Sequence, residues 1–177
     1  MRIVGGKYKG RVLAEFRGDK IRPTSDMARE CLYNILQFKI LGATFLDLFS
    51  GTGAMGIEAL SRGAKSVTFN DASRESISVI KKNLEKLSVT EKHTVNTFDA
   101  IAFLKTTSQT FDIVYIDPPY KTDLGIKSLN EVKRVLTDDG IVVFEDEKAF
   151  DGEVTGLKIY DRRKYGRVHL TFFSLEK

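Results

Sequence analysis

The chain has 177 residues, a net charge of +4, one cysteine and two histidines. A single cysteine, Cys31, excludes an internal disulfide and a cysteine-only metal site, and His93 and His169 leave little for zinc, so no metal is expected. No apolar run approaches the ~18 residues that a membrane span needs, and the opening "MRIVGGKYKG" lacks the apolar core of a signal segment, so the expectation is a soluble, cytoplasmic, single-domain protein.

In chain order, "MRIVGGKYKGRVLAEF" alternates around Gly5, Gly6 and Gly10 and reads as a basic arm of twisted strands over residues 1–23. Pro23 and Thr24 or Ser25 then signal a helix start, with Met27, Cys31, Leu32, Ile35 and Leu36 on its apolar face and Arg22 and Arg29 near its entrance. From residue 44 strands and helices alternate: "TFLDLF", "AMGIEALS", "SVTFN", "SRESISVIKKNLEKL", "HTVNTF", "AIAFLKT", "FDIVYI", "IKSLNEVKRVL" and "GIVVFE". Two last strands, "LKIYDRR" and "RVHLTFFSL", meet at a turn near Tyr165 and Gly166. Repeated β–α units predict a mostly parallel, seven-stranded sheet covered on both faces, with an antiparallel hairpin at one edge. Residues 24–177 would form this α/β domain.

Charge is unevenly spread: residues 1–23 carry +5, residues 24–157 carry −5 and residues 158–177 carry +4. Two basic ends around an acidic middle are either solvated termini or a phosphate-facing surface. On the second reading the candidate contacts are Arg2, Lys7, Lys9, Arg11, Arg22, Arg162, Arg163, Lys164 and Arg167. Tyr8 and Tyr165 lie among these cations, either stacking on a ligand or packed into the surface.

"DLFSGTGAMGIEAL" places Gly51, Gly53 and Gly56 between a strand and a helix, the context of a nucleotide-binding turn. Asp71 ends the next strand, 20 residues after Gly51, where an acid takes ribose hydroxyls. That spacing also fits a dinucleotide. Asp47, in the strand before the loop, would repel a pyrophosphate there, whereas it suits a ligand with a cationic end. S-adenosylmethionine has a ribose, an adenine, an ammonium and a sulfonium, and no phosphate. Asp99 and Asp117 fall at two further strand ends, and acids at the carboxyl ends of adjacent parallel strands converge on one crevice. The second motif is "DIVYIDPPYK": a buried strand that stops at Asp117, Pro118, Pro119 and Tyr120.

Taken together, "LDLFSGTGAMGIEALSRGAKSV", "DPPY" and "MRIVGGKYKGRVL…RPTSDMARECLYNIL" resemble the RsmD family of bacterial 16S rRNA guanine-N2 methyltransferases over nearly the whole chain. The resemblance implies a class I methyltransferase (Rossmann-like) three-layer sandwich and S-adenosylmethionine as methyl donor, with S-adenosylhomocysteine as product. It implies that Asp47, Gly51 and Gly53 serve the amino-acid end of the donor, Asp71 the ribose and Asp99 the adenine, with Asp117, Pro118, Pro119 and Tyr120 as the catalytic tetrad. It further implies 16S ribosomal RNA, within an assembling small subunit, as substrate; the enzyme is expected to act as a monomer. "KYGRVHL" near the end departs from the family pattern, in which a shorter polar pair follows the glycine. A DNA adenine-N6 methyltransferase is the alternative, but it needs a target-recognition domain for which the chain has little room. An NAD(P) oxidoreductase would leave Asp47 and "DPPY" without a role.

Overall fold

The computed structural model describes residues 1–16 and 25–177; Arg22, Pro23 and Thr24 lie outside the described residues. Seven strands form one sheet: β1 (Thr44–Asp47), β2 (Ser66–Asn70), β3 (Lys92–Asn96), β4 (Phe111–Ile116), β5 (Leu136–Asp146), β6 (Leu157–Tyr165) and β7 (Val168–Leu175). Their order is β3-β2-β1-β4-β5-β7-β6. β1 to β5 run parallel, and β7 inserts antiparallel between β5 and β6. The hairpin turns at Gly166, whose φ of +61° is open to glycine and strained for other residues.

The inner strands are buried on both faces because helices cover both, whereas the edge strands β3 and β6 are largely exposed. On one face Phe45, Val67, Phe69, Ile113, Tyr115, Ile141, Val143 and Phe172 pack under α1 (Asp26–Ile35), α3 (Ala54–Ser61) and α4 (Arg74–Lys86). On the other, Leu46, Val114, Ile116, Val142, Phe144 and Phe173 pack under α5 (Ala100–Thr106) and α6 (Leu124–Val132). Alternate positions along each strand thus serve opposite layers, as the twofold repeat of a strand requires. A short α2 (Gln37–Ile40) links α1 to β1. This is the sandwich expected from the alternation in the sequence.

Two details differ from the sequence reading. Residues 1–16 are not strands: they make turns and one isolated antiparallel bridge, Arg2 to Val12. Gly6 and Gly10 have φ of +74° and +81°, which bends the chain back on itself, while Ile3, Tyr8 and Leu13 point into the core. The arm is fixed by α3 and α4 instead of by a strand partner. Val4 and Gly5 donate backbone N–H groups to Glu58 at 2.9 and 2.8 Å, and Tyr8 N–H donates to the Ser61 hydroxyl at 2.9 Å.

The second difference is the buried stripe of α1. Ser25 caps this helix by accepting from Ala28 N–H. The stripe is Ala28, Arg29, Leu32, Tyr33 and Leu36, whereas Met27 is 62% exposed and Cys31 is half-buried. The helix is rotated about its axis relative to the purely apolar stripe, because Arg29 is carried into the interior.

Candidate active site

Strands β1, β2 and β4 are parallel, so their carboxyl ends share one rim, and the loops that follow them enclose a cavity of about 700 Å³. Asp47, Gly51, Asp71, Asp99, Asp117, Pro118, Pro119 and Tyr120 all contribute to its wall. Gly53 does not line it. Its φ of +81° makes the left-handed N-cap of α3, and it packs near Ile80 and Phe69, so its part is to shape the loop. A Cβ on Gly56 would lie 2.3 Å from Phe69 Cε1, so the absence of a side chain there lets α3 seat on β2.

The glycine loop is laced to its surroundings. Ser50 hydroxyl donates to the Asp47 carbonyl at 2.7 Å and accepts from Asn70 N–H at 3.0 Å. Asp71 holds the loop directly: one carboxylate oxygen accepts from Gly51 N–H and the other from Ser73 N–H, each at 2.8 Å. Each carboxylate oxygen has two lone pairs, so Asp71 keeps acceptor capacity toward the cavity. Asp99 caps α5 by accepting from Ala102 N–H at 2.9 Å and is exposed beside the cavity. On α4, Asn83 is fully buried; its amide donates to the Thr52 carbonyl in the loop and, in the arm, exchanges hydrogen bonds with the backbone of Ala14.

Asp47 is 1% exposed. Its Oδ2 accepts from Gly56 N–H at 3.0 Å, and its Oδ1 has no hydrogen-bond partner among the described residues. Burial pushes its carboxyl up to about 7; the Gly56 bond opposes this and the Asp71 charge adds to it. Asp117 is half-buried at the end of β4. Removal from water, followed by the charges of Glu145, Asp47 and Asp146, holds its carboxyl well above the ordinary range. Beneath it Tyr115 donates its phenol O–H to the buried carboxylate of Glu145.

The turn after Asp117 is held from several sides. A Cβ on Gly125 would lie 2.9 Å from Pro118 Cγ and from Phe144 Cε2, so the first turn of α6 is packed on that proline. Thr122 hydroxyl donates to the Pro119 carbonyl at 2.7 Å, and Lys121 takes a left-handed φ of +61°. Strain of this sort persists where the surroundings over-determine it. Tyr120 is 42% exposed at the rim.

The predicted phosphate contacts are spread over the arm and the hairpin. Lys7 pairs with Glu91 at 2.7 Å, Arg2 with Asp26 at 3.5 Å and Arg163 with Asp161 at 3.0 Å, and Arg11 donates to the Lys86 carbonyl. Lys9, Lys164 and Arg167 are in no ion pair among the described residues. Tyr8 is a packed residue: it is 6% exposed and donates its O–H to Glu91. No described helix is long and apolar enough to cross a membrane.

Arg29 was the cavity residue hardest to read in the sequence as part of the site. It is wholly buried, and it is the single cationic side chain among the described lining residues. Met1, Glu15 and Phe16 bring the arm to the same wall.

The sheet order and the glycine loop define a class I methyltransferase fold. The chain belongs to the family described as Conserved hypothetical protein 95, whose profile matches residues 1–174. It is 41% identical over 178 residues to Ribosomal RNA small subunit methyltransferase D of Buchnera aphidicola subsp. Baizongia pistaciae, covering 99% of this chain and 90% of that one. The protein of the same name from Escherichia coli is 36% identical over 149 residues, covering 83% and 75%. The solved structure of Escherichia coli yhhF superposes with a TM-score of 0.88 at 29% identity, covering 99% of this chain and 98% of that one. The RsmD resemblance read from the motifs is borne out by these matches.

Proposed function

We propose that the chain transfers the methyl group of S-adenosylmethionine to the exocyclic N2 of a guanine in small-subunit ribosomal RNA, with the RNA presented in an assembling subunit. The observation that carries this reading is the shared cavity: a buried acid with an unused oxygen, Asp47, and the Asp117-Pro118-Pro119-Tyr120 turn face the same space. The names of the two ribosomal RNA methyltransferases support the substrate.

The residues fit the donor. Asp47 Oδ1 would take its ammonium, Asp71 the ribose hydroxyls and the Asp99 side of the cavity the adenine. When bound, S-adenosylmethionine supplies an electrophilic methyl on sulfur. The chain's own task is to make a poor nucleophile attack it. The guanine N2 lone pair is delocalised into the ring, so the nitrogen must rehybridise. Acceptors aimed at its two N–H groups favour that change: a carboxyl oxygen of Asp117 and the Pro118 carbonyl, the latter fixed by the locked φ of proline. As the N–CH3 bond forms the S–CH3 bond breaks, leaving S-adenosylhomocysteine, and one N2 proton is released to water. Tyr120 at the rim would stack on the base, which is worth roughly 1–3 kcal/mol. A paired base cannot reach this turn, so the guanine must be unpaired or flipped out, at a cost of a few kcal/mol. Phosphate contacts from the cations of the arm and hairpin would offset that cost.

Nucleoside mass mapping tests the reaction. Small-subunit ribosomal RNA from cells lacking the gene should lose one N2-methylguanosine and regain it on complementation. An unchanged RNA together with lost N6-methyladenine in DNA would overturn the proposal in favour of the DNA enzyme.

The Asp47 carboxyl gives a second test, in pH. Its raised value means that below about 7 the free protein holds a proton there, and the stability that proton contributes is lost as pH rises through about 7. A ligand ammonium selects the ionised form, so binding must expel the proton at lower pH. Affinity for S-adenosylhomocysteine should therefore rise between roughly pH 5.5 and 7, by at most about tenfold per unit, and then level off. Calorimetry at pH 6 in buffers of different ionisation enthalpy should register proton release. An affinity flat across this range removes Asp47 from the ammonium site.

A further inference from the structure

The described residues of the cavity wall are rich in acids, Asp47, Asp71, Asp99 and Asp117 among them, and include one cationic side chain, Arg29. Arg29 has no exposed surface. A guanidinium offers five N–H donors, and those of Arg29 are incompletely used. Nη2 donates to the Arg2 carbonyl at 2.5 Å and to Asp26 Oδ1 at 2.8 Å. Nε lies 3.9 Å from Glu58 Oε2, beyond hydrogen-bonding distance, and neither Nε nor Nη1 has an acceptor among the described residues. Glu58 is not free to swing across, because its two oxygens already accept from Val4 N–H, Gly5 N–H and Arg62 Nε.

Buried donors without acceptors are costly, and the cost is met where a further acceptor arrives from outside the chain. The position indicates which acceptor. One turn further along α1, Tyr33 donates to the Met55 carbonyl at 2.5 Å, in the first turn of α3. The next residue, Gly56, donates its N–H to Asp47. Tyr33 and Asp47 therefore meet the same turn of α3, and Arg29, one turn along α1 from Tyr33, lines the same cavity as Asp47, one with unused donors and the other with an unused acceptor. An α-amino acid carries an ammonium and a carboxylate on one carbon, which is the charge pair these two residues complement.

We propose that Arg29 binds the α-carboxylate of the methionine tail of the methyl donor, so that Asp47 and Arg29 together read the zwitterion; this rests on the S-adenosylmethionine reading of the cavity. Arg29 is thus a specificity residue for donors with an intact amino-acid end. Its contact with the Arg2 carbonyl ties that selection to the packed arm.

The test is a ligand-and-variant cycle read by calorimetry. S-adenosylhomocysteine is compared with its decarboxylated counterpart, the thiopropylamine that keeps the amine and lacks the carboxylate. The parent protein should prefer the carboxylated ligand by about 10- to 100-fold, the range of a charge-assisted hydrogen bond. In Arg29→Gln that preference should vanish, with affinity for the decarboxylated ligand within about threefold of the parent. Equal weakening of both ligands would make Arg29 a scaffold residue and overturn the proposal, as would a parent protein that binds the two ligands equally. That second comparison needs no variant and decides even if Arg29→Gln fails to fold; Arg29→Lys, which keeps the charge and loses the fork, should retain part of the preference. Binding of neither ligand to the parent would overturn the donor reading itself, a different failure from loss of carboxylate discrimination.

Discussion

Asp117→Ala is expected to lower methyl transfer by about 10²–10³-fold, the cost of removing one preorganised group from a site of developing charge, while S-adenosylhomocysteine affinity stays within a few-fold. On the proposed reading the two quantities separate because Asp117 serves the base and Asp47 the amino-acid end of the donor. Asp117→Asn should lie between parent and alanine, since an amide carbonyl still accepts a hydrogen bond. Thermal unfolding adds an independent check. Asp117 has a raised carboxyl value in the fold, so the ionised form costs stability, and that cost grows as pH rises above the ordinary carboxylate range. Its removal from beside Glu145, Asp47 and Asp146 should leave the melting temperature at neutral pH unchanged or higher. A fully active Asp117→Ala protein would remove the residue from the chemistry.

Glu58→Ala is expected to cost about 3–5 kcal/mol, the range for breaking a buried ion pair from one side. Glu58 and Arg29 are both wholly buried, and Glu58 also serves two backbone N–H groups of the arm and Arg62. Alanine strands all of them at once. For a domain of this size that corresponds to a fall in melting temperature of roughly 6–20 °C. Glu58→Gln, which keeps the shape and one acceptor, should fall less. A melting point within about 2 °C of the parent would mean that the arm is held by its apolar contacts, Ile3, Tyr8 and Leu13, and not by this carboxylate.

The rim of acids was legible because two strong periodicities fix it. Strand alternation sets where β1, β2 and β4 end, and the glycine spacing sets the loop between β1 and α3. Asp47, Asp71 and Asp117 then fall where the topology puts them. Arg29 was not legible as a cavity residue, since an arginine in the first turn of a helix ordinarily faces water, and only tertiary burial of its charge against Glu58 and Asp26 turns it inward. The same burial explains why Met27 and Cys31 do not lie in the buried stripe. The arm misled in the opposite direction. Its alternating pattern looks like strands, but glycines at Gly6 and Gly10 close the chain into turns before any ladder can extend.

Asn83 carries one more implication. A single amide spans the arm at Ala14 and the glycine loop at Thr52. Pulling the amino-terminal segment away from α4 would break bonds of a side chain that also holds Thr52 in the cavity wall. One side chain thus joins the packing of the arm to that of the glycine loop.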